Sequence, residues 1–201
     1  VLVKRKNNNN KKNKRKAKMF DTCCSFCHRD CNEPISCPKC QKRKYCSKEC
    51  FVKDFGRDGN HSTWCKNSGE IGYDVVVTEI PGKGMGLFAN RDFKKNDKIL
   101  VERPMVPLDD PLLEASFNKV PPNRMKELHP ENGTNFEKFN VNALGCGNHY
   151  DKGSIFLKLS KINHSCIPNA SHWFIPDLNI KLLIASTSIK KNEEIVISYI
   201  G

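Results

Sequence analysis

The chain has 201 residues and carries 34 Lys or Arg against 22 Asp or Glu, a formal net charge of +12. That length suits one domain of ordinary size plus a small one. No stretch nears the ~20 apolar residues of a membrane-spanning helix. The basic N-terminus lacks the apolar core of a secretory signal, so the eleven cysteines point to metal rather than to a disulfide framework.

The charge is unevenly spread. Residues 1–18 hold nine Lys or Arg and no acid, residues 20–66 hold nine bases and six acids, and residues 67–201 hold sixteen of each. Basicity therefore belongs to the N-terminal segment and the cysteine-rich segment. Residues 1–19 are almost wholly Lys, Arg and Asn, with no apolar periodicity, and are predicted to be a disordered tail. Such a tail suits nucleic acid, acidic proteins or nuclear import receptors, or is a plain low-complexity extension.

Residues 20–66 are too few for a hydrophobic core, so metal must supply their stability. Eight ligand-type residues fall in four pairs: Cys24-x2-Cys27, Cys37-x2-Cys40, Cys46-x3-Cys50 and His61-x3-Cys65. Thiolates and imidazole at such spacings converge on tetrahedral Zn²⁺, and four pairs make two sites. Cys24 is preferred to Cys23 because its x2 spacing matches the next pair. Ser47 is placed to cap a helix over 47–55 that carries Cys50, with Gly56 and Gly59 ending it. A haem attachment site at Cys24-x2-Cys27-His28 would leave six downstream ligands unexplained. A RING finger would end in Cys-x2-Cys, and a Cys2His2 finger needs a second His 3–5 residues from the first.

From residue 72 the texture changes. Strands are predicted over 73–80, 86–89, 98–102, 155–159, 170–175, 180–185 and 195–200, with turns at Pro81-Gly82, Asn96-Asp97 and Lys191-Asn192. Residues 111–145 look helical and irregular, broken by prolines. The whole reads as a β-rich α+β domain with a helical insert. Gly84-x-Gly86-x-x-Ala89 matches a dinucleotide fingerprint only formally, because residues 90–97 are charged and turn-like rather than a crossover helix. These glycines instead allow close backbone approach to a ligand. Asn163-His164-Ser165-Cys166-Ile167-Pro168-Asn169 packs polar groups between apolar runs, which is costly unless they find partners. Glu193-Glu194-Ile195-Val196-Ile197-Ser198-Tyr199 alternates as a strand should, leaving Tyr199 at its end.

These motifs carry two family resemblances. Tyr45-Cys46-Ser47-Lys48-Glu49-Cys50 and the closing His61-x3-Cys65 resemble a MYND finger. That resemblance implies a cross-brace: Cys24, Cys27, Cys46 and Cys50 on one Zn²⁺, and Cys37, Cys40, His61 and Cys65 on the other. It also implies proline-containing peptide or basic-patch partners. Phe55 stands where the family has Trp, and residues 56–60 lengthen the loop before His61. The glycine turn, the Asn-His-Ser-Cys segment and the Glu-Glu-Ile ending together resemble a SET domain over 72–201, with Phe139-Asn140-Val141-Asn142-Ala143 similar to a block of SMYD-type members. In those members the finger interrupts the SET domain, whereas here it precedes it.

The SET resemblance implies a β-rich fold of several short sheets with a pseudoknot-like crossing. It implies a protein-lysine methyltransferase that takes its methyl group from S-adenosylmethionine and acts on a histone or other lysine-bearing protein. Gly84, Met85, Gly86, Asn142, Asn163, His164 and Tyr199 would contact the cofactor. Tyr199 would be the catalytic hydroxyl, and Asn169 would hold the crossing. The stop at Gly201 predicts a fragment truncated before a post-SET cluster, where Cys166 would join a third zinc. The implied location is nucleus, cytoplasm or both. Two other readings stand beside it: a non-catalytic recruitment module built on the finger, and a zinc-dependent nucleic-acid binder.

Overall fold

A computed structural model describes residues 23–56, 59, 61–65, 74–107, 113–146 and 153–200. The Lys/Asn-rich tail predicted over 1–19 lies outside them.

The cysteine-rich segment folds around very little apolar material. Strands β1 (Ile35–Ser36) and β2 (Lys44–Tyr45) form a short antiparallel hairpin. Helix α1 (Lys48–Phe55) follows at once, its first turn closed by the Ser47 side chain accepting from the Cys50 N–H, and Gly56 ends it. Helix α2 (His61–Trp64) comes next. The buried cluster consists of Cys24, Cys31, Cys37, Tyr45 and Cys65, with Phe26, Phe51 and Phe55 against it. At its centre Asp54 is fully buried. It accepts from Arg43 through both oxygens at 2.9 and 3.0 Å, and from the Tyr45 hydroxyl at 2.7 Å. Burial and the Asp54 charge push the Tyr45 phenol well above its ordinary range, so it stays a donor.

The larger part opens with hairpin β3 (Val75–Ile80) and β4 (Gly84–Ala89). β5 (Lys98–Glu102) and β6 (Val106–Pro107) follow. The helical insert comes next, as α3 (Leu113–Phe117), α4 (Pro122–Met125) and α5 (Asn135–Asn142). Thr134 and Glu137 form a reciprocal capping box that starts α5. The chain then returns to β7 (Leu144–Gly145), β8 (Gly153–Ile155), β9 (Asn163–His164), β10 (Ala170–Ile175), β11 (Ile180–Ala185) and β12 (Glu194–Ile197). These strands make three small sheets ordered β3-β4-β12-β9, β10-β11-β5 and β6-β8-β7. All three expected turns are present. Asn96 and Asn192 take left-handed φ values of 71° and 68°, and Gly82 takes 78°, a region that Asn and Gly visit at least cost.

Alternation sets the core. Val75, Val77, Leu87, Ala89, Ile195 and Ile197 point into one cluster with Phe93, Phe156, Leu159 and Leu183. A second cluster of Val106, Phe117, Val120, Leu128, Phe139 and Ile155 seats the helical insert on the β6-β8-β7 sheet.

Two expected strands differ from the fold. Residues 155–159 do not continue as a strand; β8 stops at Ile155 and a 3-10 turn runs over Leu159–Lys161. Side-chain acceptors replace the ladder here. Glu102 accepts from the Lys158 and Leu159 N–H groups, and the Ser160 hydroxyl accepts from the Phe156 N–H. The strand predicted over 195–200 also ends early, at Ile197.

Among the described residues the topology has one crossing. β12 lies between β4, with which it is antiparallel, and β9, with which it is parallel. Asn169 holds it there. Its amide donates to the Glu194 carbonyl at 2.9 Å and to the Glu193 carboxylate at 3.1 Å, and its Oδ1 accepts from the Val196 N–H at 2.9 Å. One side chain thus stands in for a ladder partner along the strand. Asn169→Ala strands these backbone groups, at about 1–3 kcal/mol for a buried unsatisfied group. It should shift the urea midpoint of the protein down accordingly, with Asn169→Asp intermediate; an unchanged midpoint would show that the crossing holds without it.

Candidate functional site

Two groups of ligand-type side chains converge in the finger. Cys24, Cys27, Cys46 and Cys50 form one, and Cys37, Cys40, His61 and Cys65 the other; within each, the ligand atoms lie within 4.8 Å of one another. Chain order therefore alternates between the groups, as a cross-brace requires. Sulfur separations are 3.6 Å for Cys27–Cys46, 3.5 Å for Cys46–Cys50 and 3.7 Å for Cys37–Cys65, and Cys40 Sγ lies 3.6 Å from His61 Nε2. A zinc–sulfur bond of ~2.3 Å gives a tetrahedral edge of about 3.8 Å, so both groups fit Zn²⁺. Burial, with the Arg43 charge beside it, pulls the His61 imidazole down to about 4, which keeps it neutral, as a metal ligand must be. Cys23 stands apart from both groups. Its thiol is pushed up to about 12 by burial, and it packs in the core of the larger part.

The second site gathers at the crossing. Gly84 opens β4 at φ 78°. Two residues on, a Cβ at Gly86 would meet Ile80 Cδ1 at 2.5 Å, Glu194 Oε1 at 3.2 Å and Asn163 Nδ2 at 3.3 Å. Only a glycine leaves those groups where they are. The Asn163 amide donates to the Met85 carbonyl at 3.1 Å and to Glu194 Oε1 at 2.8 Å. These glycines sit within a hairpin strand, not at the start of a crossover helix, so the context that dinucleotide binding needs is missing.

Beyond the end of β12 the backbone turns back over β9. The Tyr199 N–H donates to His164 Nδ1 at 3.0 Å, and the two rings lie 5.3 Å apart. That bond makes Nδ1 the acceptor and leaves the imidazole proton on Nε2, which is 3.5 Å from Cys166 Sγ. The Tyr199 hydroxyl donates to the Ile162 carbonyl. Burial raises its pKa, so the phenol is a neutral donor at physiological pH, although the residue as a whole is 57% exposed.

Of the residues singled out from sequence, Gly84, Met85, Gly86, Asn163, His164 and Tyr199 thus share one corner. Asn142 is not among the residues these bonds connect. It ends α5, buried, and its amide donates to the His129 and Lys138 carbonyls at 2.7 and 2.8 Å. Sequence reasoning missed two contributors. Glu194 fixes the Asn163 amide, and the Glu193-Glu194 pair before an apolar strand was the available signal, since one of the two must face inward. The Ile162 carbonyl had no signal, because main-chain acceptors are set by topology.

The SET domain family matches residues 84–200. The histone-lysine N-methyltransferase set5 of Schizosaccharomyces pombe is 32% identical over 133 residues, covering 62% of this chain and 41% of that protein. The chain therefore spans about two fifths of that relative's length. Among solved structures, the Neurospora SET domain protein DIM-5, a histone lysine methyltransferase, is 14% identical with a TM-score of 0.41, covering 63% of this chain and 52% of that one. The Chaetomium thermophilum polycomb repressive complex 2, autoinhibited and bound to S-adenosylmethionine, is 15% identical with a TM-score of 0.41, covering 65% and 15%.

Asp54→Ala leaves the Arg43 guanidinium buried without its counter-ion, a loss of about 3–5 kcal/mol. Transfer of zinc to a chromogenic chelator should be markedly faster than in the parent protein; equal rates would remove Asp54 from the finger's support. Gly86→Ala should lower the melting temperature and displace the Asn163 side-chain amide resonance, and an unmoved resonance would mean that the corner tolerates a Cβ.

Proposed function

Because the chain belongs to the SET-domain family, we propose that it is a protein-lysine methyltransferase that uses S-adenosylmethionine. The observation that carries this reading is the corner where Gly86, Asn163, Glu194, His164 and Tyr199 are tied together by the crossing. The cofactor, when bound, supplies a sulfonium methyl group that passes to the lysine nitrogen. The lysine amine would have to reach the Tyr199 hydroxyl already deprotonated, its proton lost to solvent.

Each residue then has a task. The Gly84–Gly86 backbone gives close approach for the cofactor. Asn163, held by Glu194, would bind the cofactor's amino-acid part, and the His164 main chain would bind its adenine. The Tyr199 oxygen, anchored on the Ile162 carbonyl, orients the incoming amine, and alignment of this kind is worth several orders of magnitude in rate. Neutrality of Tyr199 matters, because a phenolate would favour the ammonium form, which has no lone pair. Asn142, buried at the end of α5 and outside the bonds that tie the corner together, is the weakest of the cofactor candidates.

The same reading divides the chain into a basic tail over 1–19, a MYND-type finger with two Zn²⁺ over 20–66 and a SET domain over 72–201. A histone or other lysine-bearing protein is the substrate, and nuclear action follows from a histone substrate. The finger's role in binding proline-containing peptides and the tail's affinity for nucleic acid belong to this proposal as well.

Calorimetric titration of the zinc-loaded protein with S-adenosylmethionine should give saturable one-to-one binding that Asn163→Ala abolishes. Tyr199→Phe should keep cofactor affinity within about threefold while cutting methyl transfer to histones by about a hundredfold or more. Normal turnover by Tyr199→Phe would overturn the assignment of Tyr199. Absence of cofactor binding in the folded protein would favour a recruitment module.

A further inference from the structure

A chain of hydrogen bonds connects the finger to the corner that holds Asn163 and Tyr199. Arg124, in α4 of the helical insert, is fully buried. On the finger side it donates to the Asp30 carboxylate, to Cys23 Sγ and, at 3.3 Å, to the His28 carbonyl. The neighbouring Asn123 amide reaches the other Asp30 oxygen at 2.6 Å. These partners flank Cys24 and Cys27, which belong to the first metal group. On its other side Arg124 donates to Glu127 Oε1 at 2.7 Å. The Glu127 carbonyl accepts from Lys161 Nζ at 2.6 Å.

Lys161 ends the 3-10 turn over Leu159–Lys161, only 7% exposed. The next residue, Ile162, carries the carbonyl that receives the Tyr199 hydroxyl, and Asn163 follows. Glu102 fixes the start of this turn through the Lys158 and Leu159 N–H groups. At the end of the turn Lys161 supplies the side-chain anchor, through its bond to the Glu127 carbonyl. Burial opposes the Lys161 charge, and the Glu127 carboxylate offsets part of it. A lysine that only filled space would cost less as a methionine.

We propose that Lys161 is a positioning residue for Ile162, Asn163 and Tyr199, and that Arg124 ties it to the first metal group. The finger is then part of the foundation of the cofactor site, so its metal loading governs whether that site is formed. The functional half of this proposal rests on the methyltransferase reading; the structural half does not.

Hydrogen exchange on the whole protein separates the two. The Ile162 amide donates to the Leu159 carbonyl, and the Tyr199 amide to His164. Lys161→Met should speed exchange at both by roughly tenfold or more, while the β10–β11 ladder stays within about twofold. Lys161→Arg, which keeps a donor, should restore protection. Removing zinc from the unsubstituted protein with a chelator should do what Lys161→Met does, and add nothing in that variant. S-adenosylmethionine affinity by calorimetry should fall in step.

Parent-like exchange at Ile162 and Tyr199 in Lys161→Met would overturn the proposal. If that variant does not fold, chelation of the parent protein decides alone, and retained protection at those amides overturns it. If the exchange pattern is as expected but the parent never binds S-adenosylmethionine, the methyltransferase reading fails and the coupling stands. If the cofactor binds and exchange is flat, the coupling fails and the reading stands.

Discussion

Strand β12 can reach its place only by entering between β4 and β9, and the candidate active site depends on its staying there. Two of its three neighbours are ordinary backbone ladders. The third is a single side chain, Asn169, which accepts from Val196 and donates to Glu194. Because β12 is parallel to β9, the residues after it emerge beside the residues after β9. Where the chain turns back, Tyr199 lands against His164, and Glu194 at the other end lands against Asn163. A hairpin would have brought together residues close in sequence. The crossing brings together residues some thirty positions apart, with no loop of their own to hold them.

The finger is organised on a different principle. It has almost no aliphatic interior, and its centre is an ion pair with a phenol attached. Such a centre does little for net stability, because taking charges out of water costs several kcal/mol per ion. It does give a definite geometry to the segment between Cys37 and Cys65. Zinc held by the two ligand groups would supply the free energy that the centre lacks, on the order of 10–16 kcal/mol for a structural site in an isolated finger.

Much of this was legible in the sequence because it rests on local rules. The four ligand pairs, the Ser47 cap, the left-handed Asn96 and Asn192 and the alternating strands all declare themselves within a few residues. What stayed hidden was set by tertiary partners. Residues 155–159 are apolar enough for a strand, yet Glu102, more than fifty positions earlier, captures their N–H groups and bends them into a turn. Asn142 lies in a motif-like block, but its amide is consumed inside the insert. Arg124 reads as a surface cation in a charged, proline-broken stretch, and Lys161 as a polar position between Leu159 and Ile162. Their burial follows from how the insert meets the finger on one side and the 3-10 turn on the other, which no periodicity encodes.

The late position of β12 has a consequence for biosynthesis. A ribosome delivers β3 and β4 roughly a hundred residues before it delivers their partner. During that interval β4 presents an open edge, flanked by Val77, Leu87 and Ala89 that are destined for burial, and open edges of this kind recruit foreign strands. At ~5–20 residues per second the nascent chain therefore spends several seconds or more with that edge unpaired. Charged Glu79 and Lys83, at the far end of that hairpin, are the gatekeepers the sequence offers against it.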